Sequence, residues 1–173
     1  MPRVVSGLRV ARSYITPENT EVSRTIDFQL GGQQGIALHG VLGTMQLLTE
    51  SGGTGMSAEQ FSHTLHYETG SLESVPDAPG EDEDTIDSEI VYRQDMSLLA
   101  QDEAATRGGS AAAMVVTPGG IVWFPEPLYT ARNITHRGIG LASTWSFGAH
   151  VLLYYKFVTF SLSEMGVLLA RRA

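Results

Sequence analysis

Apolar and polar residues alternate with a period of two along much of this chain, the spacing of strands that bury one face. Ile26, Phe28 and Leu30 share one face, with Thr25, Asp27 and Gln29 on the other. Phe61, His63, Leu65 and Tyr67 alternate with Ser62, Thr64, His66 and Glu68. Ile90, Tyr92, Met96 and Leu98 alternate with Glu89, Val91, Arg93, Asp95 and Ser97, and Val151, Leu153, Tyr155 and Phe157 form one apolar face. Further strands are expected within Val4–Ile15, Gly35–Leu48, Ala112–Thr117, Ile121–Phe124 and Leu128–His136. Pro118-Gly119-Gly120, between two β-rich runs, reads as a hairpin turn. Pro125 and Pro127 should end the second run, because proline donates nothing to a ladder. Gly31-Gly32, Gly52-Gly53 and Gly108-Gly109 mark further loops, and Gly55–Phe61 and Gln101–Arg107 have room for a helical turn each.

The C-terminal segment changes period. Ser161-Leu162-Ser163-Glu164 fits a capping box, in which the serine caps an orphan N–H and the glutamate reaches back. Phe160 and Met165 stand where a hydrophobic staple would form, and Leu162, Met165, Leu168 and Leu169 share one helical face. A short helix over 161–171 follows, with Arg171 and Arg172 suited to the negative end of its dipole. Eight or nine strands at this spacing, with no helical pattern between them, predict an all-β protein. The expected fold is an antiparallel β-sandwich, jelly-roll-like, with one C-terminal helix.

Composition adds bounds. The 173 residues, 42% of them hydrophobic, suit one domain over 1–173 with a substantial core. The longest apolar run is far short of the roughly 20 residues of a membrane helix, and the N-terminus has no apolar signal region, so neither span nor signal peptide is expected. No cysteine is present, which excludes disulfides and thiolate chemistry. The net charge of −8 is concentrated. Gly70 to Ser88 holds seven of the 19 acids and no base, leaving 12 acids against 11 bases elsewhere. The expectation is an acidic loop in a nearly neutral body, without the dense basic patch of a nucleic-acid binder.

Candidate chemistry is sparse. His63 and His66 are three apart, which on a strand puts them on opposite faces and makes them poor ligands for one metal. His39, His136 and His150 lack flanking metal-ligand spacing, and the cupin His-x-His is absent. In the acidic run, Asp82, Asp84 and Asp87 are the calcium candidates, although the EF-hand spacing and its glycine are missing; a solvated loop, or a contact with a neighbour's arginines, explains the run equally well. There is no Gly-x-Ser-x-Gly elbow and no phosphate-binding glycine loop. No catalytic residue and no cofactor are therefore assigned. Trp123, Phe124 and Trp145 fall near expected turns, where aromatics either plug the ends of a sandwich or, exposed, stack on sugars and anchor interfaces.

The run Trp123-Phe124-Pro125-Glu126-Pro127-Leu128, then Ala131-Arg132-Asn133-Ile134-Thr135, then Val151–Lys156, and finally the capped helix with Leu168-Leu169, resembles the β-sandwich structural proteins of DNA viruses, both jelly-roll capsid proteins and small decoration or turret proteins. The resemblance covers about 50 residues, 123–171, and rests on order and texture. It implies a non-enzymatic virion subunit, a homo-oligomer assembled in the host cytoplasm with other virion proteins. Trp123, Phe124, Trp145, Arg171 and Arg172 would lie at its interfaces. The basic N-terminal arm of many capsid proteins is reduced here to Arg3, Arg9 and Arg12. Two other readings stay open: a carbohydrate- or receptor-binding sandwich and, further off, a cupin-like enzyme.

Overall fold

The computed structural model describes residues 1–16, 21–50, 57–67, 90–102, 110–116, 120–141 and 145–170. Ten strands and one helix occur in them. They are β1 (Arg3–Val4), β2 (Arg9–Ile15), β3 (Val22–Ile26), β4 (Gln34–Glu50), β5 (Ser57–Tyr67), β6 (Ile90–Asp102), β7 (Ser110–Val116), β8 (Ile121–Thr130), β9 (Ile134–Leu141), β10 (Trp145–Thr159) and α1 (Leu162–Ala170).

Two antiparallel five-stranded sheets form. In the first, β10 pairs with β4, β4 with β8, and both β1 and β2 pair along the other side of β10. The second runs β3-β9-β5-β6-β7. Removing the short β1 and the local β7 leaves β2-β10-β4-β8 and β3-β9-β5-β6, the strand order of a jelly roll. Its logic shows in the register. Arg9 pairs with Tyr155, Val22 with Gly138, Ile36 with Thr130 and Gln60 with Ser97, and in each case the midpoint of the two residue numbers falls between about 78 and 83. The chain is one long antiparallel ribbon, doubled about its acidic segment and then rolled so that β10 meets β4 and β9 meets β5.

The inward faces carry the core. Ile36, Leu38, Val41, Val151, Leu153 and Tyr155 of the first sheet meet Leu65, Tyr67, Tyr92 and Ile134 of the second, together with Ile26 and Phe28. A second cluster, Ile15, Phe61, Met96, Phe147 and Ala149, fills another part of the interior. Fully burying one such side chain contributes roughly 1.5–3 kcal/mol. The helix makes a third cluster on the outer face of the first sheet, where Ala37, Val158 and Phe160 are buried against Met165 and Leu168.

The cap forms as the sequence implies. Ser161 Oγ accepts the Glu164 N–H at 3.3 Å, and Glu164 Oε2 accepts the Ser161 N–H at 2.9 Å. Ser161→Ala is expected to cost about 1 kcal/mol, read as a lower thermal midpoint with unchanged sheet circular dichroism. One helical position differs from expectation. Leu162 is 77% exposed, because at the first helical residue it points away from the sheet that Met165 and Leu168 reach.

Other elements need correction. Val4–Ile15 is two strands, separated where Ser6 turns its hydroxyl back to accept the Phe157 N–H at 2.8 Å. The strand expected through Ile26, Phe28 and Leu30 ends at Ile26, and Gly32, with φ 58°, lies in the turn that follows. Residues 57–61 begin β5 instead of forming a helical turn, and Gln101 and Asp102 belong to β6. Pro118 and Gly119 of the expected hairpin turn lie outside the described residues, and the strands on either side do not pair with each other: β7 pairs with β6 in one sheet and β8 with β4 in the other. Pro125 and Pro127 do not end β8. The β4 register passes from Leu128 opposite Leu38 to Trp123 opposite Gly40, so the residues between loop out on an edge strand where no ladder bond is required of them. The strand expected over Leu128–His136 is interrupted at 131–133, where Asn133 Oδ1 accepts the Phe28 N–H at 3.0 Å.

Candidate functional site: a buried histidine chain and an open sheet face

Two features stand out from the packed body. The first is polar and buried. On the inward face of the second sheet, β5 aligns Leu65 with His136 and His63 with Gly138, which sets the two histidines diagonally adjacent. His63 Nδ1 and His136 Nε2 are 3.2 Å apart, and both side chains are fully buried. His63 Nε2 lies 2.8 Å from Gln94 Oε1 on β6, and His136 Nδ1 lies 3.0 Å from Ser13 Oγ on β2 of the facing sheet. Tyr92 donates its hydroxyl to Gln94 Oε1 at 3.4 Å. The Tyr92 ring crosses the sandwich to lie over Gly43, where a Cβ would collide with it.

The acceptor at one end orients the protons along the whole chain. Gln94 Oε1 can only accept, so His63 carries its proton on Nε2 and presents a bare Nδ1. That nitrogen accepts from His136 Nε2–H, and His136 Nδ1 accepts from the Ser13 hydroxyl. Every link is satisfied with both imidazoles neutral. Burial lowers the pKa of His63, opposed by the Gln94 bond and by Asp95. Burial also lowers that of His136, to about 3, helped by His63, His150 and Arg24. The chain therefore pins the two sheets together in its neutral state, and protonation works against it.

Sequence reasoning missed this pair. It separated His63 from His66, and the structure does place them on opposite faces, His66 Nε2 bonding to Thr64 Oγ1 at 2.6 Å. What spacing alone did not give is the meeting of His63 with a residue 73 positions away. A metal-dependent reaction on this architecture would need several converging ligands, whereas these ring nitrogens face each other, Ser13 and Gln94. Among the described residues no three His, Asp or Glu side chains come together as a metal site.

The second feature is apolar and open. Beyond the helix, the outer face of the first sheet is uncovered by any described element. The register places Val10, Tyr154, Gly40 and Trp123 in one row across four strands, and Arg12, Leu152, Leu42 and Ile121 in the next. Tyr14, His150 and Thr44 make a third row on three strands, with the Tyr14 and His150 rings 4.1 Å apart. Trp123 is 54% exposed. Its ring lies over Gly40, whose missing Cβ makes room for it, and its centroid is 5.0 Å from that of Tyr154. Rows about 6.8 Å apart on strands about 4.8 Å apart give a face of roughly 300 Å², the size of the largest exposed patch on an ordinary monomer, which is often a functional one.

The residues singled out for binding separate accordingly. Trp123 points outward onto this face, whereas Phe124 packs against the main core. Trp145 begins β10, and its side chain is outside what is described, as are Asp82, Asp84, Asp87, Arg171, Arg172 and the whole acidic segment. No family model matches the chain, and no curated protein is similar to it.

Proposed function

We propose that this chain is a virion structural subunit, a jelly-roll block of a capsid or of its decoration, that works through contacts with other copies and with other virion proteins. The observation that carries this reading is the open apolar face of the first sheet. Jelly rolls recur as shell-forming domains because closed sandwiches present flat sheet faces and edges to neighbours while keeping one self-sufficient core. A surface of six large apolar side chains, Val10, Leu42, Ile121, Trp123, Leu152 and Tyr154, is costly in water and stable when covered.

Light scattering and electron microscopy of the purified protein should show concentration-dependent assembly into rings or closed particles. Trp123→Ser should abolish that assembly while moving the thermal midpoint by only a few degrees. A protein that stays monomeric at millimolar concentration would remove the reading.

A second reading rests on the Trp123–Tyr154 pair, in which the exposed Trp123 ring beside the half-buried Tyr154 ring forms a platform of the kind that stacks on a sugar face. In that case Trp123→Ser would eliminate glycan binding and leave the oligomeric state unchanged.

A further inference from the structure

The open face of the first sheet carries cations as well as apolar groups. Arg12 lies in its second row, and Lys156 on the same side of β10 as Tyr154. No carboxylate occurs in the three rows, and Glu126, the one acid of β8, lies in the stretch between Trp123 and Leu128 that loops out of the ladder. Among the described residues, neither Arg12 nor Lys156 has an acidic partner.

We propose that this face binds the acidic segment Gly70 to Ser88 of a second copy of the chain. That segment has complementary chemistry: seven carboxylates and no base, interspersed with the apolar side chains Leu72, Val75 and Ile86. It springs from β5 and β6 of the second sheet, on the other side of the sandwich from the docking face, so a neighbour's face is the natural receiver. A face-to-face pair of identical sheets is disfavoured, because it would desolvate Arg12 and Lys156 of each copy against the same cations of the other. Segment-on-face contact is head-to-tail. Each copy then offers one segment and one face, and copies add into rings or extended arrays instead of stopping at two. This deepens the shell reading and rests on it.

The test is charge exchange in the full chain. One variant carries Arg12→Glu with Lys156→Glu; the other carries Glu81→Lys, Asp82→Lys, Glu83→Lys and Asp84→Lys. Each alone should self-associate at least about tenfold more weakly than the wild type in sedimentation velocity, and an equal mixture should recover assembly. Wild-type assembly should also weaken as salt rises from about 0.05 to 0.5 M, a reading that needs no variant. Wild-type assembly that is insensitive to salt and to both exchanges overturns this contact and leaves the shell reading standing. A wild type that never assembles overturns both. A mixture of folded variants that stays monomeric, with melting curves like the wild type, shows the segment held on its own chain and also overturns the contact.

Discussion

Unfolding free energy is expected to fall by roughly 2 kcal/mol between pH 6.5 and pH 5 through His136 alone, at about 1.4 kcal/mol per pH unit for one proton. The sign follows from where the proton binds. Unfolded, this imidazole titrates near 6.5; folded, it titrates at about 3. Between those values the unfolded chain holds a proton that the folded chain refuses, so stability is complete above pH 6.5 and is lost progressively as pH falls toward 3. His63 is shifted in the same direction, by burial first, and steepens the loss. The groups around the pair do not reverse it: Gln94 and Asp95 favour a proton on His63 but are outweighed by burial, while Arg24 and His150 disfavour one on His136. Urea titrations at stepped pH would measure the slope, and a midpoint that is flat from pH 7 to 5 would contradict it. His136→Leu adds a check of a different kind. It should cost about 1–3 kcal/mol at pH 7, because Ser13 and His63 Nδ1 lose their partner inside the core. The gap between variant and wild type should then narrow on acidification, since the variant no longer has that proton to exclude.

Gly35→Ala is expected to lower stability by about 3 kcal/mol, or roughly 10 °C in thermal midpoint. Gly35 lies opposite Val158 on the outer face, at the point where Phe160 enters the cluster beneath the helix. A Cβ there would run into the Phe160 ring and come within 2.5 Å of the Thr130 carbonyl oxygen. The carbonyl belongs to the β8 backbone and the ring is almost fully buried, so neither gives way without moving a strand or lifting α1. Gly166→Ala is the contrast. It lies in the same C-terminal region with open space around it, in a helix that alanine favours, and should stabilise by up to about 1 kcal/mol. If both substitutions shifted the midpoint equally, the packing of the helix against the sheet would have to be rejected.

How far these features were legible follows from how local each one is. The inward faces of β6 and β10 could be read directly, because Tyr92, Met96, Val151, Leu153 and Tyr155 alternate with polar or less buried neighbours. The helix cap was legible too, since Ser161 and Glu164 are three residues apart. Sheet membership was not. Turn residues at 118–120 signal a change of direction, but nothing local says whether the next strand stays in the same sheet. The prolines of β8 misled for a related reason: the rule that excludes them from ladders applies to paired positions, and whether a position is paired depends on its partner strand. β5 reads as half-buried, yet Ser62, Thr64 and His66 are as buried as the apolar residues between them. The histidine chain was least legible, being assembled from β2, β5, β6 and β9.

The doubled ribbon has a consequence for how the molecule acquires its structure. Most pairs in a jelly roll join residues far apart in sequence, and closing such loops directly from an open chain is entropically slow. Here the pairs are nested about one centre. Joining β5 to β6 closes only the segment between them, and each completed pair then shortens the effective loop for the next, β8 with β4, β9 with β3, and finally β10 with β2. The topology thus favours order spreading outward from the ribbon's midpoint toward the two chain ends. On such a route Ser13, on β2, is the last residue to reach the histidines, so the polar chain that pins the sheets closes only as folding completes.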